Sequence, residues 1–279
     1  MAAGLMLSKN QTISRFMNFN RAGPFMSAIS LHLDQGLAIL TLSAPGRKNA
    51  LDQDDWKALR VAIAEVAQGP ARALLLRGVG GDFCAGFDLS GIRPGETDAF
   101  EVIDGLVNPA LQALRALPIP TLAAVEGSCV GGGLGLAAAC DLMVLSETAR
   151  LGAPYAAIGF LCDAGLHVFL RETLGYQRAA WLIFTGKLLQ AGEAFACGLG
   201  SVVLPGEGFA AATEAQAHAL AAGPDMALRL SKQILRTARS PEEGLLAEAL
   251  GQARIFNSSD AAEGGAAFLA GRPPRFEGR

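Results

Sequence analysis

The sequence predicts an α/β layered domain that continues into an all-helical region. Two observations carry this. A buried strand, a glycine-containing loop and a helix recur in that order through the first two hundred residues, which implies layered packing with crossover connections. From about residue 211 the texture changes to helical segments punctuated by Gly and Pro.

The elements follow in order. AISLHL (28–33) and LAILTL (37–42) read as two strands around a Gln35–Gly36 turn. SAPGRKNAL is a loop. A helix spans about 52–67, with Asp52 as N-cap and Gly69–Pro70 as its stop. ARALLLRGV is a short buried strand, and GGDFCAGFDL is the loop that follows it. Residues 98–117 form one helix, ended by Pro118 and Pro120. TLAAVEG is a buried strand, the glycines 131–133 lead into a helix over about 133–139, and DLMVLSE is the next strand. A helix over about 164–174 is expected, with Asp163 able to cap it. The tail contains helices at 211–222, 225–239, 242–257 and 259–270, and its apolar faces lack obvious partners within the chain.

Composition narrows the function. About half of the 279 residues are apolar and 18% are charged, with a net charge of −3. That suits a chain with a large core and gives no basic footprint for nucleic acid. The most apolar stretch, 121–145, is broken by Glu126 and Asp141, so no run reaches the roughly 18 charge-free residues of a membrane span. Five cysteines without metal-ligand or C-x-x-C spacing read as reduced thiols of a cytoplasmic protein. His32, His167 and His218 are too scattered for a metal set, so no metal is expected. Residues 1–26 carry Lys9, Arg15 and Arg21 and no acid. They read as a flexible extension, with a transit peptide or a misassigned start as alternatives; a secretory signal is a poor fit, because no apolar central region is present.

Two loops carry the chemistry. In DFCAGFDL (82–89), Gly86 permits a backbone that presents N–H groups outward. In EGSCVGGGLGLAAACD (126–141), a strand feeds three glycines and then a helix N-terminus, whose free N–H groups and dipole favour a negative oxygen. Two such loops, about 45 residues apart, fit the geometry of an oxyanion hole. Each also fits plain helix–strand packing. A dinucleotide site fits poorly, since residues 131–136 depart from G-x-G-x-x-G at Leu136.

Five segments in order, SAPGRKNAL (43–51), DFCAGFDL, EGSCVGGGLGLAAACDL, TGKLLQAGEAFACGLGSVVLP (185–205) and AAEGGAAFLAGRPPRF (261–276), resemble the enoyl-CoA hydratase/isomerase, or crotonase, superfamily over about residues 27–276. The resemblance implies a spiral core of repeated ββα units over 27–210 and a C-terminal helical trimerisation region over 211–279. It implies an acyl-coenzyme A thioester as substrate, no cofactor beyond that coenzyme A moiety, and a homotrimer or dimer of trimers. It makes the N–H groups of Phe87 and Gly132 the oxyanion donors. It places Arg47, Lys48 and Ala50 on the loop that holds adenine and phosphates. Ala85, Gly86, Asp88 and Leu89 then edge the pantetheine and thioester, and Phe268 and Arg272 reach a neighbour's coenzyme A.

The reaction depends on the acid beside the hole. The resemblance puts a hydratase's two glutamates at Gly135 and Tyr155, so both carboxylates are missing. A phenol with a pKa of about 10 does not replace them as a water-activating base. Asp163, in IGFLCDAG (158–165), matches an acid of the isomerase-like branches and is the expected catalytic base. His167, one turn later, and Glu126 are weaker candidates for the pocket. Cys162 lacks a histidine partner, and Cys84 reads as a buried filler. The alternatives are atypical hydration, hydrolysis or halide displacement on a coenzyme A thioester, and a non-catalytic coenzyme A-binding homologue.

Overall fold

The structure is a computed structural model and describes residues 27–278; the expected extension over 1–26 lies outside the described residues. Six strands form the main sheet: β1 (Ile29–Asp34), β2 (Leu37–Leu42), β3 (Ala73–Gly78), β4 (Thr121–Val125), β6 (Leu142–Ser146) and β9 (Val202–Leu204). β1 and β2 are an antiparallel hairpin with Ile29 opposite Leu42, and every later neighbour is parallel. Parallel order requires crossovers. These are supplied by α1 (Gln53–Gln68) between β2 and β3, and by α2 (Ala99–Val102) and α3 (Asn108–Ala116) between β3 and β4. A second, three-stranded sheet joins β5 (Ser128–Val130), β7 (Arg150–Gly152) and β8 (Leu188–Gln190). Sequence reading left these three short strands unassigned, because three residues show no periodicity.

The main sheet is covered on both faces, and its side chains alternate between two cores. Leu40, Leu42, Leu74, Leu76, Ala123, Val125 and Leu145 pack with Trp56, Leu59 and Ile63 of α1 and with Leu111 and Leu114 of α3. Ile39, Leu75, Leu122, Ala124 and Val144 face the other way, onto Phe209, Ala217 and Ala221 of α8 (Phe209–Ala221). α8 is therefore part of the core, although it lies past the change in sequence texture near residue 211. α9 (Asp225–Thr237) is held by Asp141, which pairs with Lys232 at 2.7 Å and Arg236 at 2.6 Å. The Lys232 ammonium also donates to the Ile119 carbonyl, and burial pulls its pKa down. α10 (Pro241–Ile255) and α11 (Ser259–Leu269) close the chain, and no side chain of α10 is buried.

Local signals read from sequence recur with adjustments. Asp52 caps α1, accepting from the Asp54 and Asp55 amides in a reciprocal box with the Asp55 side chain. The helix expected over 98–117 is interrupted: residues Ile103–Val107 form a π-helical turn, after which Pro109 sits in the first turn of α3. The helix expected from 164 begins later, as α5 (Leu166–Leu174). Its cap is Gly165, so Asp163 does not cap it.

α4 (Gly132–Ala139) is buried along its length and lies so close to the 82–89 loop that a Cβ on Gly133 would overlap the Cys84 carbonyl. Gly133→Ala is expected to cost roughly 1–3 kcal/mol or more in urea denaturation. Gly192→Ala, in the helix Ala191–Ala196 with open space around it, is expected to gain up to about 1 kcal/mol.

Candidate active site

Two backbone turns meet behind α4. In the first, the 47–51 loop brackets residue 87: the Ala85 amide donates to the Lys48 carbonyl (2.9 Å), Leu51 donates to Gly86 (2.8 Å) and Asp88 donates to Leu51 (2.8 Å). The Phe87 amide between them has no protein acceptor among the described residues. Gly86, at φ 97°, makes the turn and sits where a Cβ would be 2.8 Å from the Val130 carbonyl. In the second, Gly131 at φ 56° and ψ −123° reverses the chain, and Gly132 begins α4 with its N–H free. The two turns touch. A Cβ on Gly86 would lie 3.1 Å from the Gly132 nitrogen, and one on Gly132 would lie 3.7 Å from the Phe87 nitrogen.

Both amides border one apolar cavity of about 750 Å³. Its far walls come from Ile92, Val102 and Ile103 and from Ile158, Phe160 and Leu161. The ionisable side chains on its lining are Arg93, Tyr155 and Asp163. Tyr155 follows the turn at Pro154, and its hydroxyl donates to Asp163 Oδ1 at 2.5 Å. Burial raises the Asp163 pKa above the ordinary carboxylate value, opposed by the Tyr155 hydrogen bond and by the charge of His167. Burial and the neighbouring carboxylate push the Tyr155 phenol far up, so it stays protonated and remains a donor.

The enoyl-CoA hydratase/isomerase sequence profile matches residues 32–279. The chain belongs to the enoyl-CoA hydratase/isomerase family. It is 35% identical over 258 residues to the human mitochondrial enoyl-CoA hydratase domain-containing protein 2, covering 88% of this chain and 87% of that one. It is 31% identical over 261 residues to the 1,2-epoxyphenylacetyl-CoA isomerase of Escherichia coli K12, covering 91% and 100%. The crystal structure of an enoyl-CoA hydratase from Bacillus anthracis superposes with a TM-score of 0.84 at 26% identity, over 91% of this chain and 100% of that one.

With the family's fold in place, the residues expected at the site divide into three groups. Ala85, Phe87, Leu89, Gly132 and Asp163 line the cavity, and Gly86 and Asp88 flank Phe87 in the same turn. Lys48 is at the outer edge, its ammonium 3.5 Å from Ser128 Oγ, and Ala50 is buried in the loop. The Arg47 guanidinium, partly exposed, faces three carboxylates, Asp52, Asp55 and Asp88. Phe268 and Arg272 lie far along the tail; Phe268 is exposed, and Arg272 forms a two-pronged pair with Glu263.

Two weaker readings are corrected. His167 is exposed and is not on the cavity lining. Glu126 is not on the cavity lining. Burial pushes both the Cys84 and Cys162 thiols to about 12, which leaves neither a ready nucleophile. Sequence reading missed Tyr155 as a partner of Asp163. It registered only as a lost glutamate, and nothing in a spacing of eight residues across a loop shows that two side chains meet.

Tyr155→Phe removes the donor and leaves the burial, so it is expected to raise the Asp163 pKa further. Carbon-13 NMR titration of the labelled aspartate carboxyl would then place its midpoint at higher pH than in the parent protein.

Proposed function

We propose that the protein is an enoyl-CoA isomerase in which Asp163 moves a proton between the α- and γ-carbons of an apolar acyl thioester. The observation that carries this reading is one half-buried carboxylate, its basicity raised, on the same cavity as the two adjacent residues Phe87 and Gly132. In the proposed cycle the Asp163 carboxylate takes the α-proton of a 3-enoyl thioester. The electron pair moves onto the thioester oxygen, where the Phe87 and Gly132 N–H groups and the positive end of α4 stabilise it. The resulting carboxylic acid returns the proton at the γ-carbon, and the double bond ends between C2 and C3. No water is consumed. The Tyr155 hydrogen bond aims the carboxylate and keeps its pKa from rising as far as burial alone would take it.

Against hydration stands the shape of the two glutamate positions implied by resemblance. At Gly135 a Cβ would sit 2.6 Å from both the Cβ and the carbonyl oxygen of Ala164, so a longer side chain has no room. At the other position the phenol of Tyr155 is already committed to Asp163.

We further read the chain as a homotrimer or dimer of trimers, supported by the apolar residues that the tail leaves in solvent. Leu245, Leu246 and Leu250 of α10 and Phe268 and Leu269 of α11 are all more than half exposed. Among the described residues, no helix is long and apolar enough to cross a membrane. The free cysteines suit the reducing cytoplasm, where we place the protein.

Incubation with 3-enoyl-CoA thioesters is expected to produce the conjugated absorbance of 2-enoyl products, and 2-enoyl thioesters should not lose theirs to hydration. Asp163→Asn should cut turnover by roughly 10²–10⁴-fold while leaving the melting temperature unchanged or higher. Full activity in that variant, or rapid hydration of 2-enoyl thioesters, would refute the isomerase reading. In analytical ultracentrifugation the parent should sediment as a trimer or hexamer, and a Leu246→Glu, Leu250→Glu double variant should sediment as smaller species.

A further inference from the structure

We infer that Arg47 is a positioning residue for the oxyanion hole rather than a ligand of the coenzyme A phosphates. The inference rests on reading the Phe87 and Gly132 amides as that hole. It does not depend on which reaction follows.

The Arg47 guanidinium has one positive charge and faces three carboxylates. One nitrogen bonds Asp88 at 2.7 Å and Asp52 at 3.1 Å, and the other bonds Asp55. Asp55 is buried and is itself fully used, accepting from the Ala28 amide at 2.8 Å and the Asp52 amide at 3.2 Å. The Asp88 carboxylate also accepts from the Ser90 amide at 2.9 Å. A phosphate approaching this guanidinium would have to displace a carboxylate from it, and would meet a surrounding excess of negative charge. Lys48, next along the chain, has no carboxylate partner among the described residues, and it and Arg93 of the cavity lining are cations open to an anionic ligand.

What Arg47 does hold is the turn that carries Phe87. Asp88 directly follows Phe87. Its side chain is tied through Arg47 to the start of α1, and its amide is tied to Leu51 on the loop that Arg47 begins. Two links to the 47–51 loop therefore fix residue 88: one charged, one through the backbone. Because the oxyanion donor is the neighbouring amide, a small rotation at 88 changes its aim. A misplacement of about 1 Å can cost roughly a hundredfold in rate.

The test reads the hole directly, with a 2,4-dienoyl-CoA bound to the protein in an Asp163→Asn background so that it is not turned over. A thioester carbonyl polarised by two N–H donors shifts the dienoyl absorbance to longer wavelength. Arg47→Met and Asp88→Asn should each lose most of that shift at saturating ligand, and in the Asp163 protein should lower kcat roughly tenfold to a hundredfold. The dissociation constant for coenzyme A itself, by calorimetry, should stay within about twofold, since neither variant touches a phosphate site. The double variant should be no worse than the poorer single one, because both remove the same link. Asp88→Asn keeps the Arg47 contacts to Asp52 and Asp55, so the test stands even if Arg47→Met folds poorly. Tenfold weaker coenzyme A binding in Arg47→Met, or an undiminished spectral shift in Asp88→Asn, would overturn the inference. Absence of any shift with both residues intact would instead remove the oxyanion-hole reading on which it rests.

Discussion

The site exists because two pieces of backbone come closer than side chains would allow. The start of α4 lies on the 84–87 turn with Gly133 against the Cys84 carbonyl and Gly86 against the Val130 carbonyl. The bridge between Cys84 and Cys129 continues this contact toward the small sheet. At that distance the peptide groups compete for acceptors, and the Phe87 and Gly132 amides are left without one. The flanking residues 85, 86 and 88 are all hydrogen-bonded to the 47–51 loop, so the turn holds residue 87 in place. Donors held in fixed positions need not reorganise as charge grows on an oxygen that accepts from them.

The sheet architecture places this contact. Parallel strands β3 and β4 lie side by side, so the loops that follow their C-terminal ends emerge at the same edge. The first leads to Phe87, and the second leads through β5 to Gly132. The walls that complete the cavity come from connections outside the main sheet: residues 92–103 after the first loop and 154–163 after β7. The Phe87 and Gly132 amides thus stand close to the main sheet, while the opposite walls of the cavity stand on connections outside it.

This division explains what the sequence made legible. The buried strands, the Asp52 cap, the glycine turns and the helical tail all carry local signals, because each depends on residue type within a few positions. The placement of Phe87, Gly132 and Asp163 on one cavity was accessible because each stands in a motif whose order along the chain resembles a known family. The short strands β5, β7 and β8, the π turn at 103–107 and the pairing of Tyr155 with Asp163 were not legible, since each depends on contacts between segments with no shared period. The Arg47 cluster shows a subtler limit. The convergence of the carboxylates at 52, 55 and 88, from two distant segments, on one guanidinium is not visible along the chain.

The Gly135, Tyr155 and Ala164 positions act as one unit. Ala164 takes a positive φ of 55°, an uncommon conformation for a residue with a side chain, and Gly165 follows at 74°. Together they bring the chain back over α4 at Gly135 and deliver Asp163 to the phenol of Tyr155. Glycine at 135 is what admits that approach, since any Cβ there would meet Ala164. The space that a carboxylate on α4 would occupy is filled by the backbone that carries the carboxylate of Asp163. A second acid on α4 and the present placement of Asp163 therefore exclude each other sterically.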